Sequence, residues 1–437
     1  MATREVTAPS RPGPGLVVAS ATPNYSHPLA VVTTLFFMWG FLTCLNDILV
    51  PHLKSIFDLS YARVMLIQFA FFSAYFLFSI PWSRVVNAIG YQRSMVVGLL
   101  TMAFGSFLFL PAASAASYPM FLTALLILAA GITGLQVAAN PYVSLLGRPE
   151  TASSRLDLTQ AFNSLGTTIA PKVGGLLILA AAPLAMEQLR QLTPQALQAY
   201  RVNEAASVKM PYTVIGIALV LLAVLIGTFK LPTIEAASGP GQKVDDSIWK
   251  HPNLLLGAIG IFTYVGAEVS IGSFLVNYFG SPEIASLSAK TAAGFVSFYW
   301  GGAMVGRFLG AGLLRRFKPG SLLALCAALA ATLVTASMLL GGHTAMWTIL
   351  AVGFFNSIMF PTIFSLGVAE LGPLTGNGSG LLNMAIVGGA ILPVVQGFIA
   401  DRLGLHHAFI LPVLCYLYIL YYGLNGSKPN SERYARA

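Results

Sequence analysis

Long runs of apolar residues recur along almost the whole chain, and they leave few folds open to it. Breaking the sequence at Pro, Gly and charge clusters gives six runs in each half. They lie near 30–51, 62–83, 94–112, 118–146, 156–182 and 211–230, and then near 254–279, 291–313, 320–341, 345–369, 378–400 and 408–425. A helix needs about 20 apolar residues to cross the hydrocarbon core of a bilayer. The runs therefore predict an all-α integral membrane protein with twelve transmembrane helices.

Composition and charge support a membrane protein. Of 437 residues, 56% are hydrophobic and 9% are charged, whereas soluble domains carry about 25% charged residues. The net charge of +9 comes from 24 Lys and Arg against 15 Asp and Glu. Fifteen of the basic residues fall in the tails and loops on one side of the predicted spans and seven on the other. By the positive-inside rule both termini are cytoplasmic, and we expect no nucleic-acid partner.

The spans fall into two halves that resemble each other faintly. We predict a cytoplasmic tail at 1–29, a six-helix bundle at 30–230, a cytoplasmic linker at 231–252, a second bundle at 253–426 and a cytoplasmic tail at 427–437. The segment Asn140–Gly147 aligns with Phe360–Gly367 at an offset of about 220 residues. Duplicated halves around a site at the membrane midplane are typical of secondary transporters.

An acidic residue lies inside the first apolar run. Asp47 stands about one turn before the outer end of span one, with Asn46 beside it and Thr43 one turn earlier. A charge at bilayer depth costs about 2.5 to 3.5 kcal/mol on insertion scales, so such a residue is a functional candidate. A carboxylate in partly dry surroundings can bind and release a proton near neutral pH. We predict that Asp47 couples a cation; a helix-end carboxylate wetted by outer solvent is the alternative.

Side-chain amides recur in the apolar runs, often three or four residues apart and so on one helix face. A carboxamide donates and accepts hydrogen bonds at once, which suits the hydroxyls of a sugar ring. Hydrogen bonding between helices, worth about 0.6 kcal/mol per bond on average, is the structural alternative. The residues predicted to bind substrate, including one intramembrane glutamate, are Gln136, Asn140, Gln160, Asn163, Glu268, Asn277, Asn356 and Asn383.

Other residues in the spans carry weaker predictions. Pro141 has no N–H, so we expect it to kink span four and open a carbonyl toward the cavity. Arg307 lies in the inner half of span eight and is expected to act as a gate or a loop anchor. Aromatic side chains that could stack on a sugar ring, or simply fill the core, are Phe162, Tyr299, Trp300 and Phe360.

Four motifs carry a family resemblance. They are Phe37–Phe41 with Leu45–Leu49, Gln136–Tyr142, Leu158–Ser164 and Phe360–Gly367. From about residue 30 to 425 the chain resembles the major facilitator superfamily, and within it the branch of L-fucose:proton symporters and glucose/galactose permeases. The resemblance implies two pseudo-symmetric six-helix bundles, alternating access, and uptake of a monosaccharide coupled to a cation.

The resemblance also assigns roles to residues. Asp47 matches the family's proton-coupling aspartate, and Gln160 and Asn163 match polar cavity residues. Where the fucose symporter has a second membrane carboxylate in span four, this chain has Gln136. One carboxylate among the neutral oxygens of Asn46 and Gln136 would also suit Na⁺, a hard cation that prefers oxygen ligands. The co-transported ion is therefore H⁺ or Na⁺, and we expect no other cofactor or metal.

The expected function is symport of a monosaccharide, glucose or galactose in the first place, into the cell across a bacterial inner membrane. An L-fucose or N-acetylglucosamine permease of the same family is the alternative, and a drug efflux carrier is less favoured because paired carboxamides do not suit its substrates. The sequence has no HExxH or GxSxG motif, so we predict no enzyme. Besides the sugar, the expected partner is the lipid bilayer, and we expect a monomer.

Overall fold

A computed structural model describes residues 25–57, 61–178, 192–232 and 247–429, without the side chains of 45–56, 61–68, 171–178 and 289–290. Most of the predicted tails at 1–29 and 427–437 lies outside the described residues, as do residues 233–246 of the predicted linker. All regular secondary structure in the described part of the chain is helical. The prediction of an all-α protein is confirmed.

The described helices follow the apolar runs of the sequence. In the first half they are α1 (Ser26–Phe57), α2 (Tyr61–Ile89), α3 (Tyr91–Ser114), α4 (Tyr118–Leu145), α5 (Ala152–Ile178), α6 (Pro194–Ala206) and α7 (Lys209–Thr228). In the second half they are α8 (Pro252–Gly280), α9 (Ala289–Leu313), α10 (Pro319–Leu339), α11 (Gly342–Asn356), α12 (Met359–Gly367), α13 (Thr375–Met384), α14 (Gly388–Leu403), α15 (Leu405–Ala408) and α16 (Ile410–Tyr421).

These helices form the expected twelve spans. Ten stretches among the described residues are helical, long enough and apolar enough to cross a membrane, and α5 and α9 add helices of 27 and 25 residues. The tenth span consists of α11 and α12, which are separated by a turn at Ser357 and Ile358. The eleventh consists of α13 and α14, which are separated by a 3₁₀ turn at Ala385–Val387.

The helices pack mainly within two groups, α1–α7 and α8–α16. In the first group α3 packs on α4 and α7, and α1 packs on α5; in the second α8 packs on α12, α14 and α16, and α9 packs on α11. The two groups, called the two halves below, meet chiefly where α5 packs on α9 and where α2 packs on α13. A site formed between the halves is therefore lined from both.

Two glycines bring α1 and α5 into backbone contact. A Cβ atom at Gly166 would lie 2.4 Å from the carbonyl oxygen of Phe37, and one at Gly40 would lie 2.3 Å from that of Asn163. Small residues at helix–helix interfaces in membranes allow this close approach. As a consequence, the polar residues of α5 lie directly beside the middle of α1.

The halves are joined at the end of the molecule where α2 and α9 finish and α5 and α13 begin. We call this the inner end, because the bias in basic residues predicts that it faces the cytoplasm. The Ser153 and Ser365 hydroxyls share a hydrogen bond of 2.6 Å, and Asn87 Nδ2 donates to Asn377 Oδ1 at 2.6 Å. Ser154 Oγ donates to the Ala311 carbonyl at 2.6 Å. These bonds, named the inner contact below, close the inner end.

The carbonyl that Pro141 frees is used differently from our expectation. A proline lacks the N–H that would bond the carbonyl four residues earlier, which here is that of Val137. Ser379 Oγ, from the other half, donates to this carbonyl at 2.9 Å. The oxygen that we expected to face the cavity thus takes part in a hydrogen bond between the two halves. At the equivalent Pro361, the freed Ser357 carbonyl accepts a bond from Arg307 Nε at 3.3 Å.

Candidate functional site

A cavity of about 160 Å³ lies between the two halves. That volume is well above the roughly 10–15 Å³ that one water molecule requires. Its lining from the first half consists of Trp39, Gly40, Thr43, Tyr75, Gln136, Gln160, Asn163 and Thr167. Its lining from the second half consists of Tyr264, Val265, Glu268, Arg307, Phe360 and Ile386. Four of the predicted substrate-binding residues, Gln136, Gln160, Asn163 and Glu268, are therefore brought together.

Two wider grooves among the described residues have a different character. One, of about 800 Å³, runs between α1, α5 and α7 and is lined mainly by apolar side chains such as Leu221 and Leu225. The other, of about 640 Å³, opens at the inner end beside Arg84 and Asn377. Neither combines amides, a carboxylate and a guanidinium in its lining, as the cavity between the halves does, and such convergence marks a ligand site.

Amides dominate the wall formed by the first half. Gln136 Nε2 donates to the Tyr75 hydroxyl at 2.8 Å, and Asn163 Nδ2 donates to the Phe36 carbonyl at 3.0 Å. Both bonds hold an amide nitrogen, which leaves the amide oxygens Oε1 and Oδ1 as acceptors. Trp39, whose ring centroid lies 4.1 Å from that of Phe36, supplies a flat apolar surface in the same wall. This combination suits a small neutral molecule with several hydroxyl groups.

The wall formed by the second half carries charge. Tyr264 Oη donates to Glu268 Oε1 at 2.8 Å, within one helix, since the two residues are four apart. Arg307 enters from α9 and interacts electrostatically with Glu268. Its NH1 group donates to the Ser164 hydroxyl and, at 3.4 Å, to the Gln160 carbonyl, both on α5 of the opposite half. Arg307 therefore joins the cavity to the contact between the halves.

The predicted coupling residues lie at the edge of what the structure describes. Asp47 and Asn46 are within α1, but their side chains are outside the described residues. Thr43 lines the cavity, and its hydroxyl donates to the Trp39 carbonyl at 2.8 Å. Position 47 follows Thr43 by four residues and so lies one turn further along the same helix face. The coupling role of Asp47, Asn46 and Gln136 stays a prediction.

The other predicted substrate-binding residues do not line this cavity. Asn140, Asn356 and Asn383 are fully buried between helices. Asn356 Nδ2 donates to the Tyr299 hydroxyl at 2.7 Å, and Asn383 Nδ2 donates to the Ser379 carbonyl at 2.9 Å, so both bond neighbouring helical groups. Asn277 is exposed near the end of α8.

Sequence reasoning missed two tyrosines and one carboxylate. Tyr75 and Tyr264 hold the amide of Gln136 and the carboxylate of Glu268, but a tyrosine in an apolar run is equally typical of the core. Asp157 is fully buried in α5 beside the contact between the halves. Its position three residues before Gln160, on an adjoining turn, was the signal that could have identified it. Of the predicted aromatic surfaces, Phe360 lines the cavity, whereas Tyr299 is buried behind it.

Comparison with known proteins gives matches along almost the full chain. Residues 30–392 match the family model of the Major Facilitator Superfamily. A glucose/galactose transporter of Brucella abortus is 52% identical over 410 residues, covering 94% of this chain and 96% of the relative. The L-fucose-proton symporter of Escherichia coli K12 is 36% identical over 409 residues, covering 92% and 93%.

Solved structures agree with these matches. A structure of the fucose:proton symporter of Escherichia coli aligns with a TM-score of 0.86 at 34% identity, covering 93% of this chain and all of that one. A structure of that symporter in the outward conformation also aligns with a TM-score of 0.86, over 92% of this chain and 99% of that one, at 34% identity.

Proposed function

Because this chain belongs to the Major Facilitator Superfamily, we propose that it imports a hexose, glucose or galactose, together with a proton by alternating access. The observation that carries the proposal is the cavity between the halves, closed at the inner end and lined by amides, a carboxylate and a guanidinium. Two relatives that it resembles over more than nine tenths of their length are named as transporters, which favours transport over catalysis.

The sugar class follows from the donors and acceptors of the cavity. Gln136, Gln160 and Asn163 offer amide groups to ring hydroxyls, and Glu268 can accept bonds from two adjacent hydroxyls. Trp39 and Phe360 offer apolar faces on which the C–H face of a pyranose can pack. The relative of 52% identity is named a glucose/galactose transporter, which supports these two sugars ahead of L-fucose.

The proton is assigned to Asp47 by a balance of charges. Among the described lining residues, Glu268 is negative and Arg307 is positive, so their formal charges cancel. Asp47, one turn beyond the cavity-lining Thr43, then supplies the uncompensated negative charge that a cation would neutralise. Relatives named as proton symporters support H⁺ rather than Na⁺ as that cation.

Orientation and domain motion complete the proposal. The excess of basic residues on one side supports an inner-membrane protein with both termini in the cytoplasm. The bundles at 30–230 and 253–426 would move as two units joined by the linker at 231–252, with the sugar bound between them in a single chain. Opening of the inner contact would then release sugar and proton into the cell.

The direct test is uptake of labelled sugars into proteoliposomes. Glucose, galactose, L-fucose and N-acetylglucosamine are compared, with a proton gradient and a sodium gradient imposed in separate experiments. We expect glucose and galactose to accumulate when the outside is acidic and not when only sodium is supplied. Accumulation driven by sodium alone, or transport of none of the four sugars, would contradict the proposal.

Asp47→Asn separates coupling from transport. A neutral side chain cannot bind and release the proton, so we expect loss of accumulation against a gradient, while counterflow of sugar without a gradient continues. Glu283→Gln removes the same charge from an exposed loop position and serves as the matched control. If Asp47→Asn accumulates sugar as well as the control does, the coupling assignment is wrong.

A further inference from the structure

Asp157 is a fully buried carboxyl group that the proposed transport mechanism does not use. It lies on α5, and both of its carboxyl oxygens lack a hydrogen-bond partner among the described residues. An ionised carboxylate in such a place loses its hydration without gaining bonds in return, so a buried and unpartnered acid is expected to bind a proton and become neutral.

Asp157 lies on the face of α5 that meets the other half. Ser154, Asp157 and Ser164 are three and seven residues apart and so share one side of the helix. Ser154 bonds Ala311, and Ser164 accepts from Arg307, both on the opposite half. The carboxyl group itself lies against α9, since a Cβ atom at Gly310 would come within 2.6 Å of Asp157 Oδ2.

The titratable groups that face Asp157 are Arg307 on α9 and Cys326 on α10, and both interact with it electrostatically. Arg307 favours the ionised form, but its hydrogen bonds go to the carbonyls of Gln160 and Ser357 and to a serine hydroxyl, and it also interacts with Glu268. Arg315, the next cation along the chain and two residues beyond the end of α9, donates to the Ser154 hydroxyl at 3.4 Å. No cation is therefore hydrogen bonded to the carboxyl oxygens among the described residues.

The internal repeat adds an independent observation. At an offset of 220 residues Asn87 corresponds to Arg307, and Asn377 corresponds to Asp157. Asn87 and Asn377 are hydrogen bonded to each other across the halves at 2.6 Å, as a neutral pair. The inner end thus contains two equivalent positions. Asn377 is hydrogen bonded to Asn87, whereas the carboxyl oxygens of Asp157 are not hydrogen bonded to Arg307 or to any other described residue.

We propose that Asp157 is a second proton-binding site, which binds a proton when the halves close at the inner end and releases it to the cytoplasm when they separate. Separation exposes the face of α5 to water, and hydration favours the ionised form. The closed state therefore has the higher proton affinity, so acid favours closing and alkaline conditions favour opening. The inference rests on the proposed alternation between two conformations but not on the identity of the sugar or of the coupled ion.

Because this proton enters and leaves on the same side of the membrane, it is not transported. It makes the balance between the two conformations depend on internal pH, by at most about tenfold per pH unit for one proton. Internal acidification would hold the carrier outward-facing, and internal alkalinity would favour the inward-facing state.

The test is a distance measurement across the inner end, which needs no sugar. Spin labels carried by genetically encoded amino acids replace Arg93 and Arg316, which are exposed on opposite halves. Pulsed electron paramagnetic resonance then gives the populations of short and long distances between pH 5 and pH 9. In the parent protein we expect the long-distance population to rise with pH. In Asp157→Asn, a mimic of the protonated acid, we expect the short distance to dominate at every pH.

Two comparisons keep the result interpretable. The variant and the parent should give the same short distance at pH 5, which establishes that the variant is folded. Glu150→Gln removes a charge from an exposed position just before α5 and should follow the parent. A pH response in Asp157→Asn equal to that of the parent, or no response in the parent, would overturn the proposal, whether or not sugar transport is observed.

Discussion

Glu268 is held in the cavity by a hydroxyl from its own helix, and this bond can be removed alone. Tyr264→Phe deletes the 2.8 Å bond to Oε1 and keeps the ring. Hydrogen bonds to charged groups contribute about 1.5–3 kcal/mol. Part of this free energy should position Glu268 to bind sugar, so we expect the KM for uptake to rise about 3- to 10-fold in the variant.

The matched control is Tyr421→Phe, which removes a hydroxyl from an exposed ring on α16. Uptake kinetics of both variants in proteoliposomes provide the measurement. An unchanged KM in Tyr264→Phe would show that Glu268 needs no such support, and an equal change in the control would show a non-specific effect of tyrosine loss.

Individual site residues were predictable from one property, polarity inside an apolar run. That property identified Gln136, Gln160, Asn163 and Glu268, which line the cavity. It equally selected four residues that do not line the cavity: Asn140, Asn277, Asn356 and Asn383. The reason is that both lipid-facing and core-facing sides of a membrane helix are apolar, so the sequence gives little information about which side of each span faces the centre.

At the scale of elements, the contact of α1 with α5 determines where the amides lie. Gly166→Ala would place a methyl group 2.4 Å from the Phe37 carbonyl oxygen and so push the helices apart. Overpacking of this kind costs about 1–3 kcal/mol. We expect a lower midpoint of thermal unfolding in detergent and a weaker sugar affinity.

Gly301→Ala is the control, because a Cβ atom there meets no atom within 4 Å. A methyl group at this position, in the middle of α9 and next to open space, should leave the midpoint of thermal unfolding unchanged or raise it slightly. Alanine stabilises a helix relative to glycine by up to about 1 kcal/mol. Equal destabilisation by the two substitutions would contradict the close-packing argument.

Element positions were predictable and their ends were less so. The first span is predicted at 30–51, but α1 extends from Ser26 to Phe57, and α2 continues through Pro81 to Ile89. Hydropathy reports the apolar core of a span and not the polar turns that extend beyond it. The tenth span breaks where Pro361 lacks an N–H group to bond the Ser357 carbonyl. The sequence does not indicate that Arg307 would bond this carbonyl instead.

For the whole molecule, the inner contact defines the conformation. Ser153 and Ser365 lie on opposite halves with their hydroxyl oxygens 2.6 Å apart. Two cysteine sulfurs at these positions would be close enough to form a disulfide, in which they are about 2 Å apart. We expect the double variant Ser153→Cys with Ser365→Cys to lose net uptake on oxidation, while sugar binding from outside persists. A reductant should restore uptake.

Either single cysteine variant serves as the control, because neither can form this cross-link. Uptake and equilibrium binding are measured before and after oxidation of the same preparation. Full uptake by the oxidised double variant, with the cross-link verified by mass spectrometry, would show that transport does not require the inner contact to open.

The twelve spans and the two halves were predictable because the lengths of the apolar runs and the internal repeat can both be read from the sequence. The end at which the halves meet was not. Alternating access requires that one sequence support both arrangements, so neither is encoded more plainly than the other. Hydrogen bonds between the halves, such as those of Asn87 with Asn377 and of Ser153 with Ser365, identify the arrangement in this structure.

The carbonyl of Val137, freed by Pro141 and bonded by Ser379, indicates how costly each cycle is. This hydroxyl–carbonyl bond is buried while the halves are together, and when they separate water can replace each partner, so that its loss costs about 0.5–1.5 kcal/mol net. We expect a closure made of such bonds to open at a modest cost for each bond, which keeps the free energies of the two conformations close to each other.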